Sequence, residues 1–92
     1  MKRGSFSVFL ASDHAGFALK EKIKQYLAKK DISYEDLGPF SFRKEDDYPD
    51  YIIPCAEKVV ETKNSLGIIL GGSGQGEAIA ANKVKGIRAV VV

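Results

Sequence analysis

The chain has 92 residues, enough for one domain over residues 1–92 and no more. Fourteen Lys and Arg against twelve Asp and Glu leave a net charge of +2, with the two signs interspersed, which argues against a nucleic-acid footprint and a polybasic membrane patch. One cysteine, Cys55, excludes an internal disulfide and a Cys-based zinc site, and no apolar run is long enough to span a bilayer.

The basic start Met1-Lys-Arg-Gly-Ser5 has no apolar segment or cleavage site behind it, so it does not read as a signal peptide, and the cytoplasm is the expected compartment. Ser5 to Ala11 alternates and is β-prone, which predicts the first strand. Ser12-Asp-His-Ala-Gly16 breaks it. Phe17 to Lys30 has helical spacing, with Leu19, Ile23, Tyr26 and Leu27 on one side and lysines on the other. Asp31 to Leu37 reads as a weaker strand because it carries three acids. Gly38 to Pro49 is the longest irregular stretch, and loops of that length are usually functional or mobile. A second helix should begin near Asp50, with Ile52, Cys55, Ala56, Val59 and Val60 as its apolar stripe and Pro54 in its first turn. Cys55, on that stripe, reads as core filler rather than nucleophile.

Leu66 to Leu70 is a short apolar run, long enough for one buried strand. Gly71, Gly72, Gly74 and Gly76 follow, and Glu77-Ala-Ile-Ala-Ala81 has the composition of a helix start with a carboxylate in its first turn. A strand, a glycine turn and a helix in that order aim backbone N–H groups at one point and let a ligand approach the chain. The competing reading is a tight connection with no ligand, although so short a link rarely needs four glycines. The third helix should end near Lys85-Gly86, and Ile87 to Val92 predicts a fourth strand.

The β-α-β-α-β-α-β alternation predicts an α/β fold, a three-layer parallel sheet of about four strands with helices on both faces. Ligands of such sheets bind beyond the C-terminal strand ends. Ser12 to His14 follows strand one and Gly71 to Glu77 follows strand three, so both belong at the same rim. Asp13, His14, Ser73 and Glu77 then surround one anion-binding turn, with the parts needed to move protons next to a carbonyl. The turn is not a phosphate-binding loop of the Gly-Lys-Ser/Thr type, and it lacks the third glycine of a dinucleotide fingerprint, where Ile79 stands.

At Ala11-Ser-Asp-His-Ala-Gly16, Asp47-Tyr-Pro49, Gly71-Gly-Ser-Gly-Gln-Gly-Glu-Ala-Ile-Ala-Ala-Asn-Lys83 and Gly86-Ile-Arg-Ala89 the chain resembles ribose-5-phosphate isomerase B and its galactose-6-phosphate isomerase relatives. The resemblance implies a Rossmann-like sheet and aldose–ketose isomerisation of a sugar phosphate without metal or other cofactor. It also implies a homodimer, or a dimer of dimers, with sites between subunits. Many members of that family carry a catalytic Cys where this chain has Gly71. A subgroup without it uses a Glu in the following helix, so the resemblance makes Glu77 the base. Ser73 with the N–H groups of Gly72, Gly74 and Gly76 becomes the oxyanion cradle. Asp13 and His14 are similar to the pair that contacts substrate hydroxyls and the phosphate end, and Tyr48 looks like a residue lining the sugar pocket. Each has a plainer reading: Ser73 as a helix cap, Asp13 as the cap of the first helix, Tyr48 as loop packing.

Family chains run longer, and their later part supplies a His-Asn segment and phosphate-gripping arginines. The expectation is therefore a chain truncated relative to the family. Its alternative function is a non-catalytic sugar-phosphate-binding or assembly module completed by another chain. Val90 to Val92 is expected to be covered by a partner or by further chain.

Overall fold

The computed structural model describes residues 7–40, 49–72 and 75–91, with 49, 50 and 75 as backbone only. Chain order is β1 (Ser7–Ser12), α1 (Phe17–Lys29), β2 (Tyr34–Asp36), α2 (Pro49–Glu61), β3 (Ser65–Leu70) and α3 (Gln75–Asn82). The three strands form one parallel sheet in the order β2-β1-β3. Leu10 stands opposite Asp36 on one side and Ile68 on the other.

Central position explains the burial of β1 on both faces. Val8 and Leu10 pack with Leu27 of α1, whereas Phe9 and Ala11 pack with Ile52, Cys55 and Ala56 of α2 and Ala80 and Ala81 of α3. Helices therefore cover both faces, and the fold is the three-layer α/β arrangement that the alternation predicts. Among the described residues, no helix is long and apolar enough to cross a membrane.

Three expectations need correction. Of the predicted α1 stripe, Ile23 and Leu27 face inward, joined by Lys20 at 0% exposure, whereas Leu19 is 53% and Tyr26 57% exposed. Lys20 is buried because Asp36 of β2 meets its ammonium group. Its Nζ donates to Asp36 Oδ1 at 3.0 Å, Asp36 Oδ2 at 2.8 Å and the Pro39 carbonyl at 2.9 Å. Lys24 Nζ adds a 2.7 Å contact to Asp36 Oδ2. Second, α2 begins at Pro49, which puts Pro54 in its second turn rather than its first, on the solvent side.

Third, residues 87–91 form no strand. Ala89 is tied to α3 instead: its N–H donates to Asn82 Oδ1 and its carbonyl accepts from Asn82 Nδ2, both at 2.9 Å. An amide side chain offers one donor and one acceptor side by side, so it stands in for a neighbouring strand at that residue. A groove of about 890 Å³ then runs beside β3, lined by Leu19, Val59, Leu66, Ile68, Ile87 and Val90 among others.

Candidate active site

The site lies at the C-terminal rim, where β1 and β3 end side by side. Asp13, the first residue after β1, donates its N–H to the Leu70 carbonyl at 3.1 Å. Its Oδ1 accepts the Gly16 N–H at 2.8 Å, which closes the turn into α1. Its Oδ2 accepts the Gly72 N–H at 3.2 Å across the rim. One carboxylate thus joins the start of α1 to the turn after β3. Close approach is possible because Gly16 has no side chain: a Cβ there would collide with the Leu70 carbonyl and lie 2.9 Å from Leu70 Cβ.

Glu77 sits in the first turn of α3 and is 5% exposed. Its side chain folds back over the strand end. A Cβ built on Gly71 would lie 2.6 Å from Glu77 Oε1 and closer still to Cδ and Oε2. The carboxyl group therefore fills the space that any side chain at position 71 would enter. It also hydrogen-bonds the Asp13 carboxyl group.

Burial pushes the pKa of Asp13 up, but hydrogen bonds from Glu77, Gly16 and Gly72 and the nearby His14 charge outweigh it. The net result holds Asp13 below the ordinary carboxylate value of 3.8. Of the glycine turn, the Gly72 N–H is already committed to the Asp13 carboxylate.

The structure brings together Asp13, Gly72 and Glu77, with His14 next to Asp13 and half-buried. Gly76 is the second residue of α3. Ser73, Gly74 and Tyr48 lie outside the described residues. Cys55 is fully buried among α2 and sheet residues, and burial pushes its thiol up to about 12. A thiol so placed is core filler, as its helical position predicts.

Sequence reasoning did not find the Lys20–Asp36 contact at the same rim. Asp36 is the last residue of β2, and its Oδ1 also accepts the Gly38 N–H at 2.9 Å. Burial raises its pKa, but the bonds from Lys20, Lys24 and Gly38 lower it further than burial lifts it. The available signal was an acid-bearing strand beside a lysine-rich helix.

Comparison with known proteins shows the family. The family model described as Ribose/Galactose Isomerase matches residues 8–92. The chain belongs to the ribose/galactose isomerase family. Ribose-5-phosphate isomerase B of Mycolicibacterium paratuberculosis is 52% identical over 81 residues, covering 88% of this chain and 51% of the relative. A probable ribose-5-phosphate isomerase B of Mycoplasma genitalium is 46% identical over 89 residues, covering 96% and 59%.

The crystal structure of ribose-5-phosphate isomerase B from Mycoplasma genitalium with bound ribulose 5-phosphate superposes with a TM-score of 0.92. That match is at 45% identity and covers 98% of this chain and 60% of that one. The Thermotoga maritima enzyme gives 0.82 at 43% identity, covering 94% and 58%. The chain spans about half to three-fifths of the length of these family members.

Proposed function

We propose that this chain provides the fold and the proton-moving half of a sugar-phosphate aldose–ketose isomerase, interconverting ribose 5-phosphate and ribulose 5-phosphate. The observation that carries the reading is the buried Glu77 carboxyl group, folded over Gly71 and bonded to Asp13 at the strand rim. Support also comes from a family relative of known structure that binds ribulose 5-phosphate.

In this reading Glu77 takes the proton from C2 of the aldose. The electron pair moves into an enediolate, and Glu77 returns the proton to C1 while the hydroxyl proton passes from O2 to O1. Hydrogen moves within one molecule and nothing is oxidised or reduced overall, so the step requires no redox cofactor. The Ser73 hydroxyl and the N–H groups of Gly74 and Gly76 hold the developing oxyanion. The Gly72 N–H acts at one remove, since it holds Asp13. Asp13, His14 and Tyr48 contact the sugar, and assembly as a homodimer or dimer of dimers completes the site. The cytoplasm and pentose phosphate metabolism are the setting proposed for this reaction.

A coupled assay with ribose 5-phosphate tests it. Glu77→Gln in an active assembly should lower kcat by ~10²–10⁴-fold, the range of acid–base groups. Near-normal turnover would remove Glu77 from the role. A second reading, a module that works only with a complementary chain, is favoured by the groove beside β3. Turnover that appears only when the C-terminal remainder of a relative is added in trans supports it. Turnover by the chain alone refutes it.

A further inference from the structure

Asp13 already closes the turn into α1 and holds the Gly72 N–H, and neither contact needs a second acid. Glu77 nevertheless meets it from α3, after passing over Gly71. Two ionised carboxylates repel; a hydrogen bond between them requires one proton. Which partner keeps the negative charge follows from the donors. Asp13 receives two backbone N–H groups at 2.8 and 3.2 Å. Such bonds favour the charged form.

We propose that Asp13 is a positioning residue for Glu77: the two carboxyl groups share one proton, with the charge held on Asp13 and the proton on Glu77. Asp13 then sets both where the Glu77 carboxyl group lies and the pH at which it is free to act as a base. The arrangement goes beyond contact with substrate, and its catalytic meaning rests on Glu77 being the base; the pairing itself does not.

Among the described residues, the ionisable groups acting on Asp13 are Glu77 from α3 and His14 from its own loop. Toward Asp13, α1 and the turn after β3 present the backbone N–H groups of Gly16 and Gly72. No lysine enters this set, since Lys20 and Lys24 face Asp36. Loss of the shared proton to solvent therefore places two negative charges side by side. Removing the Asp13 charge should let Glu77 ionise at lower pH.

Carboxyl carbon NMR of the 92-residue chain, labelled at Asp and Glu, tests this by titration. In the wild type the Asp13 and Glu77 carbons should each show two separated steps, the mark of a coupled pair. In Asp13→Asn, Glu77 should show a single step moved to lower pH by about one unit or more, the size of a near like-charge effect. A residue that only fills space would not move that step.

Glu77→Gln gives an independent reading if Asp13→Asn does not fold. The Asp13 carbon should then show a single step, and the upper step of the pair should disappear. Independent single steps in the wild type, an unmoved Glu77 step in folded Asp13→Asn, or a two-step Asp13 in Glu77→Gln would each overturn the proposal. Coupled titration in an inactive assembly would remove the isomerase reading and leave the pair. Independent titration in an active one would do the reverse.

Discussion

A methyl group at position 71 tests the placement of Glu77 without any need for turnover. The Cβ of Gly71→Ala would stand 2.6 Å from Glu77 Oε1, with Cδ and Oε2 nearer. Favourable contacts of this kind lie at about 3.5 Å, so the carboxyl group must retreat by roughly 1 Å. The backbone itself tolerates alanine, because Gly71 lies outside the left-handed region. Overpacking of a buried site costs about 1–3 kcal/mol. Disturbing a hydrogen bond to a charged partner costs about 1.5–3 kcal/mol. The two overlap, so Gly71→Ala should destabilise by about 2–4 kcal/mol.

With Glu77→Ala already in place the three atoms nearest the new methyl are gone, and its cost should fall below about 1 kcal/mol. Urea denaturation of the wild type, both single variants and the double variant gives the coupling energy from midpoints and slopes. A value of about 2 kcal/mol is expected. Additivity within about 0.5 kcal/mol would mean that residues 71 and 77 do not meet, and the site geometry would fall with it.

Other expectations concern the frame of the site. Lys20→Met keeps the buried stem but strands the Pro39 carbonyl and removes one of the two ammonium groups on Asp36; with Lys24 remaining, the loss should be about 2–3 kcal/mol near neutral pH. Asp36 is held below its ordinary 3.8, so its contribution is full above that pH and is lost as pH falls through the folded value. The gap between Lys20→Met and wild type in urea midpoints should therefore narrow below about pH 4, and an unchanged gap at about pH 3 would refute the pairing. Cys55, its thiol pushed up to about 12 by burial, should react with iodoacetamide only as fast as the chain unfolds; rapid labelling in mass spectra without denaturant would contradict its placement. Asn82→Ala removes two exposed bonds to Ala89, and exchange of the Ala89 amide should speed by about fivefold, equivalent to one bond of about 1 kcal/mol; unchanged exchange would show that the tie does not form in solution.

Elements marked by local pattern were legible beforehand. The alternation and apolar runs located β1 and β3, the 3.6-residue spacing located α2, and the glycines located the turn, because backbone preference and periodic burial act within a few residues. The pairing of Asp13 with the glycine turn was partly legible, since parallel strands bring their C-terminal ends to one rim. Less legible was which side of α1 turns inward. Hydropathy favours Leu19 over Lys20 there, yet Lys20 is buried because Asp36 and Pro39 meet its ammonium group. Ile87 to Val91 has strand composition, but pairing needs a partner edge at the right distance, and Ala89 is engaged by Asn82 instead.

By itself, the order of residues determined the alternation of strands and helices, the parallel sheet it implies, and the rim at which Asp13 and Glu77 both fall. Those follow from short-range sterics and from the period with which apolar groups recur. Tertiary structure alone decided that the Glu77 carboxyl group occupies the space above Gly71 and bonds Asp13, and that Lys20 is an interior cation. Each of these depends on groups far apart in the chain competing for one small volume, and periodicity carries no record of that competition.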